Sequence, residues 1–250
     1  MLMRILEISG SIAAAITFLF ILRRIWQPAK RTHNDVVGPS VGVIGTTYAV
    51  LLAFMLSGVW NSYRTAQQTE EEEANCLVNV FRLAQGLPSG AGDRIRRMAR
   101  DYAEVMINAE WREMEHERTS DEGRKIVDDW WKLLESIQPQ TASEQIALDH
   151  ALFELGNMSE HRRIRLLQSR SKLPPILWAV LLAGAIVSVI SVCLFGVEDF
   201  LLHAVQVFAI TFLLALELVA IADIDRPYQG SVRVEPTGFR FALETFDRTP

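Results

Sequence analysis

The chain has 250 residues, of which 50% are hydrophobic and 22% are charged, and its formal net charge is −5. Most of the charge lies between residues 64 and 172 and beyond residue 221, whereas the rest consists of long apolar runs that soluble domains rarely contain. This distribution disfavours a soluble enzyme. A net acidic chain without a concentrated basic face also disfavours nucleic acid as a partner.

The first apolar segment, residues 5–22, approaches the length of about 20 residues that a bilayer-spanning helix needs. The alternative is a secretory signal peptide with Arg4 as its basic start. Glu7 interrupts the apolar run, and the segment ends in Arg23-Arg24 without a small-residue cleavage site. We therefore favour a retained membrane span.

The second predicted span, residues 36–60, is uncharged and follows the polar triplet His33-Asn34-Asp35. Asn34 or Asp35 can accept hydrogen bonds from the free N–H groups at the start of a helix, and a carboxylate there is favoured by the helix dipole. The triplet is therefore a candidate helix cap. The alternative is that it lines the mouth of a pore.

One face of the second span consists of small residues three or four positions apart: Gly38, Gly42, Gly45, Ala49, Ala53 and Ser57. Such a face lets helices approach closely, and Gly38-x-x-x-Gly42 is a common packing motif. One interpretation is helix packing within the protomer. The other places this face, with Thr46 or Thr47 nearby, around a pore axis in an oligomer.

The middle segment, residues 62–171, shows helical periodicity throughout and no strand-like alternation. We predict an all-α protein in which the second and third spans continue outward as long helices that bracket two shorter ones. The predicted parts are a first transmembrane hairpin at 1–60, a helical cytoplasmic domain at 61–173, a second transmembrane hairpin at 174–222 and a C-terminal tail at 223–250.

The acidic run Glu70-Glu71-Glu72-Glu73 does not predict a calcium site, because consecutive carboxylates on a helix point in different directions and no calcium-loop spacing is present. A solvated helix surface is the favoured interpretation. No catalytic motif, phosphate-binding loop or zinc signature occurs, and Cys76 and Cys193 lack metal-ligand spacing. We therefore predict no enzymatic activity, no cofactor and no bound metal.

The third and fourth predicted spans are residues 174–197 and 200–222. Glu217 lies inside the fourth span, and an ionisable residue in such a position marks a functional site by default because burying its charge in lipid is costly. The alternative is a structural role. Glu217 lies roughly 9 Å from the middle of the helix, toward its C-terminal end, so its side chain can reach the membrane interface or pair with Arg226.

The basic residues near the span ends favour an inner-membrane protein with both termini and residues 61–173 in the cytoplasm. Nine lie on the cytoplasmic side in this orientation: Arg4, Arg64, Arg162, Arg163, Arg165, Arg170, Lys172, Arg226 and Arg233. Four lie outside: Arg23, Arg24, Lys30 and Arg31. The first hairpin therefore conflicts with the rule, unless its basic residues serve a binding or pore-mouth role.

Several blocks follow one another along the chain: His33-Asn34-Asp35-Val36-Val37-Gly38-Pro39, Ile44-Gly45-Thr46-Thr47-Tyr48-Ala49-Val50-Leu51-Leu52-Ala53-Phe54, Leu87-Pro88, Tyr102 with Glu110-Trp111, Leu173-Pro174 with Leu177-Trp178, and Asp225-Arg226-Pro227-Tyr228-Gln229-Gly230. In order and spacing they resemble a bacterial family of bestrophin-like domains of unknown function. The first two blocks are the most specific, and the resemblance extends over nearly the whole chain.

This resemblance implies a distant similarity to bestrophins, which are pentameric anion channels with four membrane segments and a helical cytoplasmic region between the second and third. It implies an oligomeric channel, with inorganic ions passing through a homo-oligomer in the lipid bilayer. The aromatic constriction and the acidic calcium clasp of bestrophins have no match here, so calcium gating is not implied. The alternative hypothesis is a non-conducting membrane scaffold or sensor whose helical domain binds a partner.

Overall fold

The regular elements are all helices in the part of the chain that the computed structural model describes, which is residues 2–25 and 31–248, with only the backbone at positions 2, 3, 31–33, 36 and 89. The all-α prediction is therefore confirmed for these residues. The helices are α1 (Leu2–Ile25), α2 (Arg31–Leu83), α3 (Ser89–Val105), α4 (Trp111–Met114), α5 (Asp121–Glu135), α6 (Ala142–Gln168), α7 (Pro175–Cys193), α8 (Phe200–Ile224) and α9 (Thr237–Arg248). A π-helical turn, Met106–Glu110, joins α3 to α4.

Four of these helices, α1, α2, α7 and α8, are long and apolar enough to cross a membrane. They coincide with the four segments that the hydropathy pattern predicts as spans. Helix α2 has 53 residues, so it is about 80 Å long, more than twice the thickness of the hydrocarbon layer. The prediction that the second span continues far beyond its apolar part is confirmed.

The same prediction is wrong for the third span. Helix α6 ends at Gln168 and α7 begins at Pro175, so the two are separate helices. Pro174 and Pro175 have no backbone N–H groups, and a proline also disfavours helical geometry in the residue before it. The apolar face of α6 runs almost to Pro174, but the backbone does not stay helical over that distance.

The chain divides into two compact units. Unit 1 consists of Met1–Asn61 and Lys172–Asp225, and unit 2 consists of Ser62–Ser171 and Arg226–Pro250. The described residues after 225 therefore pack with the middle segment, whereas the sequence suggested a separate tail at 223–250.

Unit 1 is held together by packing between transmembrane helices. Helix α1 packs along α8, which also packs on α7. One face of α2 contributes Tyr48, Leu52 and Val59 to a core that includes Leu181 of α7 and Ile221 of α8. Because this core fixes which face of α2 points inward, it also fixes which face points away from the protomer.

Unit 2 has a large core in which aromatic side chains from distant parts of the chain meet. Trp130 of α5 and Tyr102 of α3 are fully buried, as is Phe239 of α9. The rings of Phe81 and Phe246 stack with their centroids 4.1 Å apart, which attaches α9 to the end of α2. The C-terminal helix is thus part of the core of this unit.

Candidate functional site

The small-residue face of α2 is exposed along most of its length. Gly42, Gly45, Thr46, Ala49 and Ala53 are all exposed. A Cβ atom built on Gly42 or Gly45 would meet no atom within 4 Å. Within the described part of the chain this stretch therefore has no packing partner, and the interpretation as packing inside the protomer finds no support there.

The first residue of that face behaves differently. Gly38 is half-buried, and a Cβ atom placed on it would lie 3.7 Å from Cζ of Phe195 in the loop between α7 and α8. Gly38 thus packs within the protomer, against a loop residue and not against another helix. The hydroxyl of Thr46 donates to the carbonyl of Gly42 at 2.9 Å, so its hydrogen bond is made within α2.

The stripe of α2 next to this face is anchored by a close contact that sequence patterns did not reveal. The Tyr48 hydroxyl donates to the Leu181 carbonyl of α7 at 2.6 Å. The Tyr48 ring lies directly on Gly184, where a side chain would overlap the ring atoms. A glycine inside the apolar run of the third span was the available signal, because small residues allow close helix contacts in membranes.

One residue of the polar triplet before the second span, Asn34, makes a contact other than the predicted cap. Helix α2 already begins at Arg31, so Asn34 lies inside its first turn. The Asn34 amide donates to the Gly196 carbonyl at 2.8 Å, and its oxygen accepts the Gly196 N–H at 2.8 Å. Asp35 is exposed, and the side chain of His33 lies outside the described residues.

One basic residue of the first hairpin binds the same loop. The Arg23 guanidinium donates to the carbonyls of Val197 at 2.6 Å and Glu198 at 2.9 Å, and it lies over the Phe200 ring. Arg23 therefore has a structural role that accounts for one of the four basic residues conflicting with the charge rule. Lys30 lies outside the described residues.

Glu217 lies half-buried in α8 and has no hydrogen bond or ion pair with any described residue. Arg226, the partner considered from the sequence, donates instead to Gln229 at 3.3 Å. Glu217 is thus an intramembrane carboxylate without a salt-bridge partner in this part of the chain.

Unit 2 contains a buried ionic cluster that the sequence analysis also missed. Arg165 and Glu73 are both fully buried, and Arg165 binds Glu73 with two hydrogen bonds of 2.6 and 2.9 Å. The Tyr102 hydroxyl donates to the same carboxylate at 2.6 Å. The Arg165 guanidinium also lies 4.7 Å from the centroid of the Trp111 ring, a cation–π contact.

A second ion pair completes this cluster. Glu110, at the end of the π-helical turn, accepts a hydrogen bond from Arg162 at 2.8 Å and one from the Ser120 N–H at 3.2 Å. Burial raises the pKa of Glu110, and the positive charges of Arg165 and Arg162 counteract that effect. Burial lowers the pKa of Arg165, but the nearby charge and hydrogen bonds of Glu73 outweigh this effect and raise the pKa above its ordinary value. Arg165 therefore stays ionised.

The interpretation of the acidic run as a solvated surface is wrong for two of its four residues. Glu70 and Glu73 are 1% and 0% exposed. They lie three positions apart, between Ala66 and Leu77 on the same buried stripe of α2. Their position on an apolar stripe was the signal in the sequence, but their partners lie far away along the chain.

Glu70 caps the C-terminal helix. Its Oε1 atom accepts the N–H groups of Gly238 at 2.8 Å and Phe239 at 3.3 Å, in the first turn of α9. Glu70 lies ten residues beyond Trp60, outside the apolar part of α2 and within unit 2. Burial raises the pKa of Glu70 from 4.5 to about 7, although the two N–H groups lower it.

We expect Glu70→Gln to make the protein less sensitive to pH. A carboxyl whose pKa is raised on folding contributes stability that is fully present below pH 4.5 and is lost as the pH rises through about 7. The ionised form costs up to about 3 kcal/mol at pH 8, a cost that the neutral amide does not have. The difference in unfolding free energy between the variant and wild type should therefore grow from pH 5 to pH 8. A constant difference would contradict the raised pKa.

The described residues contain no group of three or more His, Cys, Asp or Glu side chains placed to hold a metal ion. The two cysteines are buried and free. The polar groups with geometry of interest are thus the half-buried Glu217 carboxylate, the loop contacts of Asn34 and Arg23, and the buried ionic cluster.

Comparison with known families identifies the chain. The family model of the bestrophin-like domain matches residues 10–239. The chain belongs to the bestrophin-like family. The match covers most of both units, and the resemblance inferred from the sequence blocks is therefore confirmed.

Solved structures show the same fold. A bacterial bestrophin homologue from Klebsiella pneumoniae, carrying one substitution, is similar over 97% of both chains, with a TM-score of 0.64 and 11% sequence identity. A membrane protein, also carrying one substitution, is similar over 99% of this chain and 97% of its own, with a TM-score of 0.62 and 10% identity. No curated protein matches this chain.

The sequence blocks of the bestrophin-like chain coincide with its anchored positions. Asn34 holds the α7–α8 loop, and Glu110 belongs to the ionic cluster. Asp225 accepts the N–H of Leu173 at 2.8 Å, just before α7. The Tyr228 hydroxyl donates to the Ala66 carbonyl at 3.1 Å. The residues of these blocks thus form hydrogen bonds between distant segments within each unit.

Proposed function

We propose that this bestrophin-like membrane protein is an ion channel formed by a ring of identical copies. In that ring the small-residue face of α2 is turned toward the central axis. The observation that carries the proposal is the exposure of this face in a helix whose neighbouring stripe, Tyr48, Leu52 and Val59, is buried against the protomer. Membership of the bestrophin-like family supports it, because the family name relates the domain to channels.

The anchoring of α2 explains how one face is kept free for a pathway. Tyr48 and Gly184 hold the adjacent stripe of the helix against α7, so α2 has one preferred rotation in unit 1. Gly42 and Gly45 leave the backbone uncovered, and Thr46 binds a carbonyl of its own helix. A ring of such faces offers ions a narrow path lined by small side chains and backbone.

The orientation belongs to the same proposal. With unit 1 in the inner membrane, unit 2 and both termini lie in the cytoplasm, which agrees with the excess of basic residues on that side. The anchoring of Arg23 on loop carbonyls supports this orientation, because it gives a basic residue on the other side a structural reason to be there.

The test of the channel is ion flux into liposomes that contain the purified protein. We expect Gly42→Leu to abolish flux, because the larger side chain narrows the lumen or separates the helices that surround it. Val43→Leu is the matched control: it adds bulk at a neighbouring position of α2 that is 67% exposed but lies on another face. This control should conduct as wild type does.

The size of the oligomer must be measured for both variants. Intact oligomers without flux support the pore, and loss of the oligomer assigns Gly42 to packing between copies. Normal flux and normal size in Gly42→Leu would remove α2 from the pathway. Absence of flux in the wild-type protein would favour the scaffold.

The orientation can be tested with a cysteine at Thr119. This residue is exposed in unit 2, whereas its neighbour Ser120 is buried, and both native cysteines are buried and so react slowly. In intact cells Thr119→Cys should resist a membrane-impermeant thiol reagent and should react after the membrane is opened. Fast labelling in intact cells would place unit 2 outside.

One observation favours the second candidate, a scaffold or sensor. The long helix α6 exposes Ile146, Phe153 and Leu167, which are 59%, 64% and 65% exposed. They recur every seven or fourteen residues, so they lie along one side of the helix. A partner protein that covers this side would give unit 2 a role without ion conduction.

A further inference from the structure

A cleft of about 370 Å³ lies in unit 1 between α1, α7 and α8. Its volume falls within the range of small-molecule sites, about 300–1,000 Å³. Its lining is apolar except for two hydroxyl side chains, Ser11 and Thr211. Four small residues leave the space open: Ala14, Ala15, Ala185 and Ala215.

The two hydroxyl groups differ in their hydrogen bonding. Ser11 donates to the carbonyl of Ile8 in its own helix at 2.8 Å. The Thr211 hydroxyl is buried and has no hydrogen-bond partner in the described part of the chain. The α8 residues of the lining, Thr211, Leu214, Ala215 and Leu218, recur three or four positions apart and form one face, which places Thr211 in the wall of the cleft. Rotation about its Cα–Cβ bond exchanges the methyl and hydroxyl groups and turns the buried hydroxyl toward the cleft.

The depth of Thr211 restricts what can satisfy it. Thr211 is 5% exposed and is the twelfth of the 25 residues of α8, so it lies at the middle of the span. A hydroxyl without a partner is unfavourable there, because hydrocarbon supplies no hydrogen bonds. Acyl chains carry no acceptor, and phospholipid ester groups lie about 15 Å away, at the edge of the hydrocarbon.

We propose that this cleft binds a neutral, membrane-dissolved molecule of medium chain length that carries one hydroxyl or carbonyl oxygen. The Thr211 hydroxyl donates a hydrogen bond to that oxygen, and the alanine-lined walls hold the apolar part. A charged ligand does not fit, because none of the side chains lining the cleft is ionisable. The site is independent of ion conduction and does not rest on the proposed channel.

The experiment uses the full-length protein in liposomes and an octanol that carries a photoreactive diazirine. We expect saturable labelling of peptides from α1, α7 or α8, which unlabelled octanol competes away. Thr211→Val keeps the shape and removes the donor, so half-saturation should require about three to ten times more probe. Ala215→Leu fills the cleft and should abolish saturable labelling.

Val205→Leu is the matched control on α8. Val205 is 55% exposed and lies outside the cleft lining, so labelling should match wild type. Labelling that does not saturate overturns the proposal. Unchanged half-saturation in Thr211→Val also overturns it, and this variant decides the question if Ala215→Leu does not fold. Dissociation of the oligomer by Ala215→Leu, with Thr211→Val unaffected, would make the cleft a packing surface for a second copy.

Discussion

Arg165→Met should destabilise the protein more than any other single substitution considered for unit 2. The change leaves the Glu73 carboxylate buried without its charged partner, and breaking a buried pair in this way costs about 3–5 kcal/mol. For a chain of this size that loss corresponds to a fall in Tm of roughly 10 °C. Thermal unfolding of the purified protein in detergent measures it.

Two further variants show whether the unpaired charge is the cause. Arg163→Met is the exposed control, because the Arg163 side chain is 73% exposed and lies 3.8 Å from Glu160. It should change the unfolding free energy by less than about 0.5 kcal/mol. The double variant Glu73→Gln with Arg165→Met buries no charge at this position and should be more stable than Arg165→Met alone. Equal stability of the double and single variants would contradict this explanation.

Gly184→Leu should have the next largest effect, because it forces α2 away from α7. The Tyr48 ring occupies the space that any side chain at this position needs. Overpacking of a tight core typically costs about 1–3 kcal/mol, which is the range we expect for Gly184→Ala. The larger leucine should exceed that range, and thermal unfolding should rank wild type, alanine and leucine in this order.

The matched control is Gly10→Leu in α1. A Cβ atom on Gly10 meets nothing within 4 Å, so the same substitution in another transmembrane helix should be tolerated. In the variant Gly184→Ala, an added Tyr48→Leu substitution should recover part of the lost stability because it frees the space above residue 184. Equal effects at positions 10 and 184 would show that the contact with Tyr48 is not the cause.

The transmembrane helices could be predicted from sequence because their signal is local. An uncharged apolar run such as residues 36–60 has few alternatives to a membrane helix. The division between α6 and α7 was less clear, although Pro174-Pro175 marked it. The apolar pattern of α6 continues toward the prolines, and periodicity alone does not show where the backbone leaves the helix.

The ionic cluster could not be predicted, because its partners are far apart in sequence. Arg165 lies 92 positions from Glu73, and Gly238 lies 168 positions from Glu70. Four consecutive glutamates look like a solvated surface until the fold places an arginine and a helix N-terminus against two of them. The exposed small-residue face is the converse case, since its spacing was visible, but it was not visible that from Gly42 onward this face contacts none of the described residues.

The π-helical turn Met106–Glu110 holds one more residue than a regular α-helix would over the same path. The surplus residue is taken up within the turn, so the helices on either side keep the rotation that sets Trp111 against Arg165. In an α-helix each residue turns the chain by about 100°, so deleting one residue of the turn would change the direction of the side chains inside it, including the Glu110 carboxylate that accepts from Arg162, and leave Trp111 in place. Among homologous chains, loss of a single residue at this turn should therefore occur together with a change of charge at position 162.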